Sequence, residues 1–223
     1  MGTRLLISAL TKYLAGLVLV AALLFIPAGT LCYWNGWLFI GRLFGPMLIL
    51  GAVMFVKAPE LLEKRLNTKE KEDAQKSVVA LSALIFLGGF ILSALDFRFG
   101  WLQLPKPVVI IGAVVLVVSY GLYAEVMREN AYLSRTIEVQ EGQKVVDTGM
   151  YGIVRHPMYA VTILLFLSIP VVLGSGLGLI VFLAYPLILV KRIRNEEKVL
   201  AEGLAGYTEY MKKVKWRILP FVW

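Results

Sequence analysis

Apolar positions fall in six runs, at about residues 13–31, 37–56, 78–95, 108–126, 159–173 and 177–190. The first four have the roughly 20-residue length that a helix rising 1.5 Å per residue needs to cross a bilayer. The last two are shorter, and only Gly174-Ser175-Gly176 separates them. Their pattern predicts a tight helical hairpin, kinked at Pro170 and Pro186, that is either tilted or crosses only part of the bilayer. The expected fold class is all-α, a polytopic transmembrane bundle of five to six membrane helices. Two regions are expected: 1–127, holding four membrane helices and a basic loop at 57–77, and 128–223, holding a polar linker, the short hairpin and a polar tail. No internal repeat or low-complexity tract interrupts this order.

Composition agrees with the pattern. Of 223 residues, 59% are hydrophobic and 17% charged, against about a quarter charged in ordinary soluble domains. That excludes a disordered, collagenous or disulfide-rich chain. The single Cys32 allows neither an internal disulfide nor a cysteine-rich metal site, and no secretory leader pattern is expected. The net charge of +8 reports topology and not nucleic acid. Of the 23 basic residues, 18 lie in three segments, the loop 57–77 (Lys57, Lys64, Arg65, Lys69, Lys71, Lys76), the linker and the tail. By the positive-inside rule these segments and both termini face the cytoplasm, as in a prokaryotic inner membrane. Arg42 and Glu125 fall inside apolar runs but near their ends, and for Arg42 a snorkelling side chain is expected. Trp34, Trp37 and Trp101 read as interfacial anchors, and Gly41-x-x-x-Gly45 permits close helix packing.

Chemistry concentrates in the linker and the tail. Thr148-Gly149-Met150-Tyr151-Gly152 leads into Arg155-His156-Pro157-Met158-Tyr159. Pro157 suits the first turn of a helix, which places Arg155 and His156 at its N-terminus, where an anion or a lipid headgroup would be welcome. His156 is the only histidine, so a multi-histidine metal site is excluded. In the tail, Glu196-Glu197 lie among Lys191, Arg192, Arg194 and Lys198. They balance either a cationic ligand or their own neighbours. Aromatic and basic residues interleave from Tyr207 to Pro220 as in a segment lying on a membrane surface.

Arg155-His156-Pro157-Met158-Tyr159, an apolar hairpin, Arg192-Ile193-x-x-Glu196-Glu197 and Tyr207-x-x-Tyr210 follow in an order that resembles the isoprenylcysteine carboxyl methyltransferase family, most nearly its bacterial and archaeal branch. The likeness covers roughly Arg128 to Trp223. It implies a membrane enzyme using S-adenosylmethionine in a cytoplasmic pocket, with a lipophilic or lipidated substrate entering from the bilayer. Carried over by position, the cofactor wall would be Gln143, Val146, Thr148, Gly149, Tyr151, His156, Pro157, Tyr159, Glu196 and Glu197. Asn130 and Arg155 would meet the substrate, and Arg155 and Glu197 would be catalytic. Arg155 would hold a carboxylate of substrate or cofactor, and Glu196 or Glu197 the cofactor's ammonium. A carboxylate acceptor is ionised at neutral pH and needs no general base. The chain departs from the family at Gln143, where His is frequent, at Leu204-Ala205-Gly206, where Phe-Gly precedes the first tail tyrosine, and at Ala160, where Gly is common.

Three rivals remain. A phospholipid amine acceptor would need a base, for which His156 or Glu197 could serve. A membrane reductase using NADPH on a sterol-like lipid has a comparable tail, here Trp216-Arg217-Ile218-Leu219-Pro220, but usually carries Asp-Glu in place of Glu196-Glu197. A scaffold or transporter component is the non-enzymatic reading, against which the absence of mid-membrane ionisable residues counts. Expected partners are membrane lipids and the lipophilic substrate, with no nucleic acid and the oligomeric state unspecified.

Overall fold

The computed structural model describes residues 2–66, 73–133, 137 and 139–223, with 73–76 described by backbone alone. Lys69 and Lys71 of the expected basic loop, and Ser134 and Arg135 of the linker, lie outside the described residues. The helices are α1 Gly2–Ala28, α2 Trp34–Lys57, α3 Pro59–Leu66, α4 Asp73–Phe99, α5 Lys106–Glu129, α6 Pro157–Val172, α7 Gly176–Phe182, α8 Tyr185–Gly203 and α9 Tyr207–Lys213, with a 3-10 turn at Gly149–Gly152. Among the described residues no strand forms, only one isolated bridge between Gln103 and Ser175. Five runs are long and apolar enough to cross a membrane: α1, α2, Ser77–Phe99 of α4, α5, and Gly176–Gly203, which takes in α7 and α8. The 16-residue α6 is shorter. The all-α transmembrane bundle expected from the sequence is the fold observed.

The last two runs differ from the expected kinked hairpin. Pro170 lies inside α6, which continues two residues beyond it. Pro186 does not bend a helix interior; it occupies the first turn of α8, where its missing N–H costs nothing. The chain breaks instead at Leu183-Ala184, between α7 and α8. α8 then runs through the polar stretch 191–203 without interruption. Lys, Arg, Glu and Leu are all good helix formers, so the charges leave the apolar region on a rigid helix and not on a separate tail.

In a bilayer helices gain little from hiding apolar surface, so close shape fit decides where they meet. α6 packs chiefly along α5. A methyl group at Gly112 would come within 2.6 Å of Val171, so this glycine sets how near the two helices lie. Gly89 of α4 does the same against the Phe182 ring of α7. Gly41 and Gly45 have open space around them, so the motif that permits close packing is not where packing occurs. Phe86 touches Phe166, Phe182 and Tyr185 edge-on, an arrangement that adds to simple contact area. Ile26, Val56 and Leu187 are exposed on the outer surface, as lipid-facing residues are.

At one end of α6 the loops are stapled by buried polar contacts. Asp96, fully buried, accepts hydrogen bonds from Ser175 Oγ at 2.5 Å and the Leu102 N–H at 2.7 Å. Tyr33 donates to the Leu173 carbonyl at 2.7 Å, and Asn35 to that of Val172 at 3.2 Å. This fixes the α6–α7 turn, and with it the direction of α6 toward the opposite end, where Arg155 and His156 lie.

Candidate functional site

α5 ends at Glu129, and this residue and the next one shape the linker. Asn130 is extended, and its side-chain oxygen accepts from the Tyr132 N–H at 3.0 Å, turning the chain out of the helix. Glu129 reaches across 21 residues to accept from the Met150 N–H at 3.0 Å. Gly149 makes that possible. Its φ of +51° suits glycine, and a side chain there would collide with the Glu129 carboxylate. The turn so anchored carries Tyr151 and leads to Arg155.

Arg155 is only 7% exposed and fully engaged. Its Nε and Nη2 each donate to Glu197 Oε1 at 2.7 Å, and Nη1 donates to the carbonyls of Val214 at 2.8 Å and Lys215 at 2.9 Å. His156 Nε2 lies 3.3 Å from the same Glu197 oxygen. Arg217 Nε donates to Glu197 Oε2 at 2.8 Å. The backbone joins in, with the Arg155 and His156 N–H groups donating to Trp216 and Arg217 carbonyls, both at 2.8 Å. Buried charge is tolerated when paired and hydrogen-bonded this fully. The carboxylate that Arg155 is expected to hold is therefore met, in this structure, by one from its own chain.

The two adjacent glutamates have different surroundings. Neighbours on a helix point about 100° apart. Leu189, Ile193 and Glu197 form the buried stripe of α8, whereas Leu189, Arg192, Glu196 and Leu200 face a cavity of about 1020 Å³. Glu196 accepts from the Tyr159 hydroxyl at 2.5 Å, and Arg192 Nε donates to that hydroxyl at 2.8 Å. Asn130, Gln143, Val146, Tyr151, Arg155, His156 and Tyr159 also line the cavity. Thr148, Gly149, Pro157 and Glu197 are absent from its lining. Gly149 and Glu197 act from behind, through the turn and the Arg155 cluster. Gln143 is partly committed, since its Oε1 accepts from the Gln140 N–H at 2.9 Å. The cavity continues between α1, α2, α4 and α5, past apolar residues such as Leu10, Met47, Leu50, Ala83 and Phe86. A single space thus joins a polar end to an apolar limb among the membrane helices.

Sequence reasoning quoted Arg192, Tyr207 and Tyr210 as motif residues but gave them no role in the site. Arg192, Tyr207 and Tyr210 line the cavity. Arg192 stands four residues before Glu196, a helical spacing that signals one face. Tyr207 and Tyr210 share the three-residue spacing. Glu129 and Arg217 carry no such signal, because their partners are remote in sequence. Among the described residues the Tyr207 hydroxyl is buried without a hydrogen-bond partner. No group of three or more His, Cys, Asp or Glu suited to a metal ion occurs among them either.

Residues 108–202 match the isoprenylcysteine carboxyl methyltransferase (ICMT) family. The Delta(14)-sterol reductase TM7SF2 of Mus musculus is 33% identical over 91 residues, covering 40% of this chain and 22% of that protein. A Delta(14)-sterol reductase of Arabidopsis thaliana is 27% identical over 134 residues, covering 54% of this chain and 36% of that protein. The uncharacterized protein YpbQ of Bacillus subtilis is 36% identical over 93 residues, covering 41% of this chain and 55% of that protein. The chain therefore aligns with only a fifth to about half of the length of these relatives. The ICMT match takes in α5, the linker, Arg155, His156, Tyr159, Glu196 and Glu197, and over that stretch it bears out the family resemblance read from the sequence.

Proposed function

We propose that the chain is an integral membrane methyltransferase that uses S-adenosylmethionine and acts on a lipophilic acceptor, a carboxylate in the first instance. The observation that carries this reading is the cavity that joins Glu196, Tyr159, His156 and Tyr151 at one end to an apolar limb between membrane helices at the other. A water-soluble cofactor suits the first part and a lipid-soluble substrate the second. The residues fit the cofactor's charges. Glu196 offers a carboxylate to a cation, with only the Tyr159 hydroxyl on it among the described residues. The buried Tyr207 hydroxyl offers a further polar contact.

When bound, the cofactor supplies an electrophilic methyl group. The chain's residues bind, orient and exclude water. Arg155, Glu197 and Arg217 hold the tail against the Arg-His-Pro turn, which keeps that wall of the cavity in place. Tyr159, fixed between Arg192 and Glu196, presents a defined polar surface. Asn130 and Gln143 complete the wall. A carboxylate acceptor is itself the nucleophile, so alignment and desolvation are the tasks left to the protein. By the distribution of basic residues this end of the molecule faces the cytoplasm.

The sterol reductase relatives support a second reading, an NADPH-dependent reductase. Arg155 is already matched by Glu197, but Lys12, Arg65, Lys144 and Arg192 also line the cavity beside Glu196, so its charge does not separate the two readings. Calorimetry on detergent-purified protein separates them. S-adenosylhomocysteine is expected to bind in the micromolar range and NADPH not to bind. The reverse result would sink the methyltransferase reading. Transfer of labelled methyl into a lipid extract then identifies the acceptor.

A further inference from the structure

The apolar limb of the cavity carries two cations from outside the stretch that matches the ICMT family. Lys12 of α1 and Arg65 of α3 both line it, and the family match begins at residue 108. Lys12 stands about 15 Å along α1 from its start at Gly2, among Ala9, Leu10 and Tyr13, which face the same space. Its ammonium donates to the Leu66 carbonyl at 2.5 Å. That uses one of its three N–H groups, and on a neutral acceptor. The Arg65 guanidinium lies over the Tyr123 ring of α5, 5.4 Å from its centroid. Lys12 therefore touches the residue next to Arg65, and α3 brings the two cations to one part of the limb.

This part is distinct from the polar end. Tyr123, Met127 and Asn130 share the face of α5 that lines the cavity. Tyr123, under Arg65, is about 10 Å along that helix from Asn130. Among the described lining residues Glu196 is the one acid, and it is engaged with Tyr159 at the polar end. A cation set against apolar surface is costly until an anion meets it.

The surroundings say which anion. Leu62 and Leu66 line the cavity beside Arg65, and Leu10 beside Lys12, so the rest of the ligand is hydrocarbon. Two cations suit a phosphate monoester, which carries about −1.5 to −2 at neutral pH, and the arginine fork matches its oxygens. α3 directly follows the end of α2 at Lys57, in the basic loop assigned to the cytoplasmic face, the level at which lipid phosphates lie. We propose that Lys12 and Arg65 bind the phosphate of an acidic lipid whose hydrocarbon chain occupies the apolar limb. The site goes beyond the cofactor question and stands whether the chain transfers methyl or hydride.

Native mass spectrometry of the full chain, released from an uncharged detergent, tests this with phosphatidic acid and phosphatidylcholine of identical acyl chains. A basic residue near a membrane surface contributes roughly fivefold to the binding of an acidic lipid. The wild type is expected to bind the first molecule of phosphatidic acid at least about tenfold more tightly than phosphatidylcholine. Lys12→Gln and Arg65→Gln are each expected to lose about fivefold of that preference, with phosphatidylcholine affinity unchanged. Arg65→Lys, which keeps the charge, is expected to retain most of it. Arg4 and Lys64 line only a separate surface groove between α1 and α3, so Arg4→Gln and Lys64→Gln are expected to leave the preference within about twofold of wild type. An equal loss in those two variants would assign the effect to general surface charge and overturn the site. Equal affinity of the wild type for the two lipids would also overturn it. So would displacement of bound phosphatidic acid by an excess of inorganic phosphate or of NADPH, which would give the cations to a soluble phosphate.

Discussion

The two ends of α6 are each held by a buried carboxylate, and the partners differ. At one end Asp96 takes its hydrogen bonds from neutral groups, the Ser175 hydroxyl and the Leu102 N–H. At the other Glu197 takes them from two arginines and a histidine. The Asp96 cluster lines no part of the large cavity, whereas Arg155 and His156 of the Glu197 cluster do. Neutral donors suffice to fix a loop. The charged set does more, because it ties together three segments remote in sequence: the Arg155-His156 turn, α8 and the strap from Val214 to Arg217. One carboxylate closes a turn. The other assembles the wall of a site.

The sharpest way to break this contrast is Glu197→Ala. It leaves the Arg155 guanidinium buried with two carbonyls and no counter-charge. Removing one partner of a buried ion pair costs about 3–5 kcal/mol. The expected outcome is a large drop in the thermal midpoint in detergent, with faster deuterium uptake at residues 214–217. If the midpoint fell but uptake there stayed slow, Glu197 would not be what holds the strap.

Asp96→Ala is expected to cost less, about 1–3 kcal/mol, the price of leaving a buried hydroxyl and an N–H unpaired. Its effect should stay at the α6–α7 turn and leave S-adenosylhomocysteine affinity within about twofold. A loss larger than that of Glu197→Ala, or a comparable loss of ligand binding, would erase the distinction between the two ends.

This distinction was only half legible in the sequence. Periodicity and run length located the first four membrane helices, and the motif order brought Arg155, His156, Tyr159 and Glu196 to one cavity. Helix α8 was harder to read, because Lys191 to Lys198 looks like a tail by hydropathy although its residues favour helix. The division of labour between Glu196 and Glu197 depends on which face of α8 meets the bundle. Arg155 finds Glu197 42 residues away, and nothing local encodes that choice. Gly41 and Gly45 show the same limit from the other side. Their spacing permits close packing, but α5 and α6 meet at Gly112, where no spaced pair announced it.

The smallest expected effect separates charge from shape. Asp96→Asn keeps the side-chain volume and one acceptor oxygen, which can still receive the Leu102 N–H. Its new amide faces Ser175 as a donor, and the serine oxygen, which already accepts from the Gly178 N–H at 2.9 Å, has a second lone pair to accept with. Only the serine proton is displaced, so the cost should be below about 1 kcal/mol. Glu197→Gln also keeps shape, but it removes the negative charge that Arg155 and Arg217 share, and two cations beside a neutral amide cannot be repaired by rotation. Thermal midpoints of the two amide variants, measured side by side, therefore report the difference between the ends directly. Near-equal shifts would mean that hydrogen-bond geometry, and not ionic pairing, holds the wall of the cavity.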